Sequence, residues 1–309
     1  MQLVVLSARP GALRTSLAHW RAKAPWLDRV LIVTPEPVAG LACVLDRDLL
    51  GGPGPADHSA RNYALRAALA TCDAVDDVFV SADDDSRPLV DVPATTFVRD
   101  GRYRRFAFGS LDDWEARATS MDNCLLATRQ VLALHGLPRR AYAAHMPQVV
   151  DKVLWAEVVA LFAAAAARHP LDEWSTYLNA APALHPQRFE DPEPYLTLGW
   201  PDDAATWQPL LDQGALLFEN VSAEHYAAGQ VFDGIDPDDV SYEAAVDKVV
   251  RWRSYELQVL AGERPAALAP PLPSGTLRRV RAQAVGDPVL RDRRQRAATA
   301  AVLRALGRR

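Results

Sequence analysis

Cysteine is scarce. Cys43, Cys72 and Cys124 are the three in 309 residues, widely spaced and with no Cys-x-x-Cys pair. That spacing excludes a disulfide framework or a cysteine-based zinc site and fits thiols in a reducing compartment. A strong charge of one sign is also missing: the net charge of −5 gives no electrostatic reason to expect nucleic-acid binding. Nor is there a long apolar run. The most membrane-like segment, VLWAEVVALFAAAAARHP, is short for a span and carries Glu157, so it reads as an Ala-rich soluble helix. The opening MQLVVLSARPG is too short in apolar residues for a secretory signal and reads as a first strand, so a cytoplasmic location is expected.

What is present is an ordinary globular composition, 49% hydrophobic and 24% charged, in a chain long enough for one large or two moderate domains. QLVVLS and DRVLIVT are β-rich runs separated by a helical pattern on Leu13, Leu17 and Trp20. Together they make a βαβ unit and predict a parallel sheet. DVFVSA is a third strand, preceded by a helix from about Ala60 to Thr71 that Ser59 can cap. RDGR places Asp-Gly between two β-rich runs and predicts a hairpin. Helices are expected over Trp114 to Leu134, along the apolar face Val150, Leu154, Val158, Leu161 and Phe162, and over SYEAAVDKVVRWRSYELQVLAG. RPAALAPPLPSG reads as a linker to a tail with ten arginines between Arg278 and Arg309. The partition expected is an α/β core over 1–168, a helical region over 169–262, and linker plus basic tail over 263–309.

Three consecutive carboxylates, Asp83, Asp84 and Asp85, follow the apolar run VFVSA. On an extended backbone Asp83 and Asp85 project to one side and Asp84 to the other. Ligands of open parallel sheets bind at the carboxyl ends of strands, where paired carboxylates can clamp Mg²⁺ or Mn²⁺ together with a diphosphate. A solvated acidic turn ahead of Arg87-Pro88 is the alternative. Arg61 and Asn62, a helix upstream, carry groups that can meet a diphosphate or a base. This ARN…DDD spacing resembles nucleotide-sugar glycosyltransferases of the GT-A type.

A more specific resemblance covers about residues 10–165. LRTSLAHWRAKAPWLDRVLIVT (13–34), HSARNYALRAAL, VSADDDSRPL, TTFVRDGRYRRF and AAHMPQVVDKVLWAEVVALF (143–162) follow one another as do the segments of the Stealth family of sugar-phosphate transferases, and LLFENVS weakly echoes its last region. The resemblance implies a GT-A-like core, with a mostly parallel sheet flanked by helices and a helical C-terminal part. It also implies transfer of hexose-1-phosphate from a UDP-sugar to an acceptor hydroxyl of a cell-surface or capsular polysaccharide, with Mg²⁺ or Mn²⁺. By position, Asp84 and Asp85 match the family's acidic pair, Ser59 its helix-start serine, His145 the histidine of His-x-Pro, and Lys152 the following basic residue. The chain departs from the family at its opening, VVLSARPG, which lacks the aspartate of Trp-Val-Asp-Gly, and at His58 and Asp83, where the family carries Asn.

On this reading Asp83 or Asp84 with Asp85 holds the metal, while Arg9, Ser59, Arg61 and Asn62 meet the donor. His145, whose ordinary pKa is near 6.5, removes the acceptor proton, and Lys152 faces a phosphate. Asp122 and Asn123 are acceptor-side candidates. Trp174, Trp200 and Trp207 are either sugar-stacking faces or core. The basic tail offers either a contact with anionic lipid or polymer, or a solvated extension. Two alternatives stand beside sugar-phosphate transfer: a GT-A glycosyltransferase that releases UDP, and a nucleotide-sugar-binding scaffold without turnover.

Overall fold

The architecture was taken from a computed structural model, which describes residues 1–114, 120–142, 145–199, 204–220, 223–261 and 263. β1 (Gln2–Leu6) is wholly buried and leads into α1 (Pro10–Lys23), which starts with proline at its first turn and buries Leu13, Ser16, Leu17 and Trp20. β2 (Arg29–Thr34) returns parallel to β1, completing the expected βαβ unit. A short third strand, β3 (Cys43–Leu45), pairs parallel with β2. It runs straight into a single turn, α2 (Asp46–Leu49). α3 (His58–Leu69) precedes β4 (Val78–Asp83), which pairs parallel with the other side of β1.

α4 (Ser120–Leu134) matches the later part of the helix expected from Trp114, but Trp114 itself is extended and ends a 3₁₀ turn over Leu111–Asp113. The pattern beginning at Val150 divides in two. Gln148–Asp151 form a strand, β5, antiparallel to β4, and α5 (Lys152–Ala166) begins only after it. The expected helix therefore starts later than its apolar spacing suggests. Val149 and Val150 pair with the sheet, and the Asp151 side chain caps the helix by accepting from the N–H groups of Val153 and Leu154. The sheet order is β5-β4-β1-β2-β3, four strands parallel and one edge strand reversed, with helices packed around it. The fold is thus α/β with a mostly parallel sheet. The hairpin forms at Asp100-Gly101, both with positive φ (51° and 76°), as Asp-Gly turns favour.

α6 (Glu173–Leu184) is almost entirely buried and belongs to the first of two compact units, Met1–Thr197, with Trp174 in its core. In the second unit, Leu198–Arg309, α7 (Ala204–Asp212) and α8 (Tyr242–Leu260) carry Trp207 and Trp252, whose rings meet edge-on at 5.5 Å. Lys248 and Glu219 form a fully buried ion pair at 2.7 Å. Trp207, a sugar-stacking candidate from sequence, is core. No helix among the described residues is long and apolar enough to cross a membrane. Trp200, most of the linker and the basic tail lie outside the described residues, and with them the expected lipid contact.

The acidic turn is fastened to α1. The Ser86 carbonyl accepts from Trp20 Nε1 at 3.0 Å and from Ser16 Oγ at 2.6 Å, both donors buried. Trp20→Ala should cost about 3–5 kcal/mol in chemical denaturation, combining lost burial with a cavity. Trp20→Phe, which keeps most of the volume but loses the indole donor, should cost about 1 kcal/mol.

Candidate metal centre

Two strands and a loop bring the candidate residues together. β1 and β4 are neighbours in register, Leu6 opposite Asp83, so the residues following each strand emerge side by side. β5 runs the other way, with Gln148 opposite Ser81, so the loop entering it, carrying His145, reaches the same end of the sheet. This is the carboxyl end of the parallel strands, where open α/β sheets place ligands.

Here Asp83, Asp85 and His145 each offer a donor atom, and these atoms all lie within 4.8 Å of one another. His145 Nδ1 is 3.4 Å from Asp85 Oδ1 and 3.5 Å from Asp83 Oδ2. The side chains are partly accessible, 38% for His145, 25% for Asp83 and 13% for Asp85, so the cluster can be reached from solvent. Asp84, in the turn that follows β4, is engaged elsewhere. Ser7 Oγ donates to its Oδ2 at 2.8 Å and Arg9 Nε to the same oxygen at 3.3 Å, while Arg9 Nη2 pairs with Oδ1. Arg9 Nη2 also donates to Asp85 Oδ2 at 3.0 Å.

Of the three carboxylates read from the sequence as metal ligands, Asp83 and Asp85 lie together with His145 in a group that could hold a metal ion, and Asp84 does not join them. Asp84 serves as the anchor of Arg9. Two carboxylate oxygens and one imidazole nitrogen suit Mn²⁺ better than Mg²⁺, which favours oxygen ligands and keeps its waters.

Asp83 is gripped from a second side. Arg66, on α3 and only 4% exposed, donates to Asp83 Oδ1 at 2.6 Å and pairs through Nη1 with Glu173 on α6. Its guanidinium also lies 4.5 Å from the centroid of the Trp174 ring. Burial acts to strip the Arg66 proton, and the charges of Asp83 and Glu173 outweigh it and hold the proton more tightly. Nothing in the sequence marked Arg66. The available cue is that it sits five residues after Arg61 on a helix packed beneath a strand that ends in carboxylates.

The other expected donor-site residues are engaged differently. Arg61 pairs with Asp46, the first residue of α2, and Asn62 Nδ2 lies 3.2 Å from His58 Nε2. Ser59 is buried and does not cap α3; Asp57 does, accepting from the Ala60 N–H at 2.9 Å. Asp122 accepts from Trp114 Nε1 at 2.8 Å and is buried.

Lys152 is not brought to the cluster at all. Asp151 pairs opposite Val78, the first residue of β4, so Lys152 lies at the amino end of a strand about 20 Å long. Its ammonium caps the carbonyls of Cys72 and Val75 at 2.6 and 3.3 Å. The expected phosphate contact fails because the strand that precedes α5 carries its first turn to the wrong edge.

His145 also changes part. Burial acts to lower its pKa, but the hydrogen bond and charge of Asp85, with Asp83, outweigh burial and raise it to about 9. Asp85 answers in the opposite direction. Burial pushes it up, and His145 and Arg9 more than reverse this, holding it at about 2. An imidazole that keeps its proton to about pH 9 is a poor acceptor of a proton at neutral pH and a good counter-ion for two carboxylates.

No protein-family profile matches the chain, and no characterised protein matches it in sequence. Among solved structures the chain is similar to the galactosyltransferase LgtC in complex with donor and acceptor sugar analogues, at TM-score 0.45 and 11% identity over 82% of this chain and 96% of that one. It is also similar to the apo form of the glycosyltransferase GlyE of Streptococcus pneumoniae TIGR4, at TM-score 0.40 and 10% identity over 84% of this chain and 63% of that one. Likeness at this level specifies no activity.

Two outcomes follow from the geometry. The raised His145 pKa gives stability that is full below the unfolded value of about 6.5 and is lost as pH rises through about 9. Metal-free protein should therefore lose stability between those values, and His145→Gln should flatten that part of the pH profile of the unfolding midpoint. Lys152→Ala should lower stability by about 1–2 kcal/mol through the two carbonyls it leaves uncapped. Calorimetric titration of that variant with Mn²⁺ should give the wild-type affinity.

Proposed function

We propose that the protein is a divalent-metal-dependent transferase acting on a nucleotide sugar, with Asp83, Asp85 and His145 as the protein ligands of the metal. The observation that carries this reading is the convergence of these three donors, accessible to solvent, at the carboxyl end of β4 in a mostly parallel sheet. When bound there, a cation supplies electrostatic stabilisation to a diphosphate whose bond to the sugar is breaking.

The chain's own residues supply the rest. Asp83 and Asp85 orient toward one point because Arg66 and Arg9 fix one oxygen of each. Arg9, 56% exposed and anchored at Asp84, presents its guanidinium beside the site, where it is placed to pair with phosphate oxygens. To act as a ligand His145 would have to give up its proton, and it is not assigned the acceptor's proton.

Glycosyl transfer, releasing the nucleoside diphosphate, is the reading favoured, because three candidate metal ligands and the Arg9 guanidinium gathered at one point match a diphosphate leaving group. Transfer of hexose-1-phosphate to a glycan hydroxyl, with release of UMP, is the second reading. It is supported by the order of the Stealth-like segments along residues 13–162, but it used His145 as base and Lys152 at a phosphate, and the geometry favours neither role.

Incubating the purified chain with a panel of nucleotide sugars and Mn²⁺ separates the readings by product, UDP for the first and UMP for the second. Asp85→Ala should abolish Mn²⁺-dependent donor binding, a loss of at least about a hundredfold, with the fold retained by circular dichroism. Wild-type affinity and metal dependence in Asp85→Ala would end the metal-centre assignment.

A further inference from the structure

The cluster has a second layer that sequence reading did not reach. Asp83 has two oxygens with different duties. Oδ1 receives Arg66 Nη2 at 2.6 Å, and Oδ2 is the oxygen 3.5 Å from His145 Nδ1. A carboxylate on a strand end can rotate about its last torsion, which is broad and nearly two-fold. Something must decide which oxygen faces the ligand point.

Arg66 can do so because it is itself immobilised. Its other terminal nitrogen pairs with Glu173, its face stacks on Trp174, and its backbone carbonyl accepts from Trp155 Nε1 at 2.7 Å. Its Nε is buried without a partner among the described residues, so the two carboxylates account for its polar contacts. A planar fork that spans two carboxylates is a property of guanidinium that an ammonium does not reproduce. Three elements, α3, β4 and α6, meet through this one side chain.

We propose that Arg66 is a positioning residue of the metal centre: it holds Oδ1 of Asp83 so that Oδ2 is the oxygen presented beside Asp85 and His145, and Glu173 locks Arg66 in that pose. This rests on the metal-centre reading above. Glu173 has a further electrostatic duty. With its charge removed, the Arg66 cation would be balanced by Asp83 alone, and less of the Asp83 charge would remain for a divalent ion. Partners that orient a ligating side chain without touching the metal commonly govern affinity by one to two orders of magnitude.

The test uses the full chain and Mn²⁺ alone. Binding is followed by calorimetry and by the electron paramagnetic resonance of free and bound Mn²⁺, at a temperature well below each variant's unfolding midpoint. Arg66→Met should weaken Mn²⁺ binding at least about tenfold and alter the line shape of the bound ion. Arg66→Lys should recover part of the loss, and Glu173→Gln should weaken binding several-fold with Arg66 still in place. A merely structural role predicts lower unfolding midpoints with affinity and line shape unchanged. Affinities within about twofold of wild type in Arg66→Lys and Glu173→Gln overturn the proposal even if Arg66→Met does not fold. If the wild type binds Mn²⁺ and only the positioning variants behave like it, the metal centre stands and this inference falls. Absence of Mn²⁺ binding by the wild type overturns both.

Discussion

Three carboxylates in succession at the end of a buried strand repel one another, and the structure is organised around relieving that repulsion. Each aspartate is given its own cation. Asp83 has Arg66, Asp84 has Arg9, and Asp85 has His145 with a share of Arg9. The cations come from different parts of the chain: the loop after β1, the last turn of α3 and the loop before β5. Neutralising the acidic turn therefore also ties those elements to the carboxyl end of the sheet. A buried arginine such as Arg66 is tolerable only because two carboxylates and an aromatic face meet it.

The register of the sheet does the sorting. With Leu6 opposite Asp83, the parallel pairing of β1 and β4 puts Ser7 and Arg9 where Asp84 emerges. The reversal of β5 sends its entry loop, with His145, to the carboxyl end of the parallel strands and its exit, with Lys152, to the other end. A parallel β5 would have exchanged these two residues. A single topological choice thus decides which of two basic side chains takes part in the site.

His145 links the electrostatics to the chemistry proposed. Facing two carboxylates, it carries its own proton as the positive charge that the cluster requires. A divalent ion bound as proposed would compete for the same position, and coordination by the imidazole would require that proton to leave. On that proposal metal affinity and pH would be coupled through one residue, the cluster holding a protonated imidazole when empty and a neutral one with the cation.

Much of this was written locally. The βαβ start, the strand VFVSAD and the Asp-Gly hairpin are short-range consequences of apolar patterning and turn chemistry, and the sequence alone determined them. The extended backbone expected through Asp85 ends at Asp83, and Asp84 and Asp85 lie in a turn. The sequence also marked His145 and the acidic run as chemically unusual. What only the tertiary structure decided is which long-range partner each charge received: His145 in place of Asp84 at the cluster, Arg66 behind Asp83, Arg61 diverted to Asp46, Lys152 removed to the far edge. The physical reason is that a side chain's neighbour along the chain is fixed by backbone period. Its neighbour across the fold depends on sheet order and strand direction, and residue identity at a single position does not encode these.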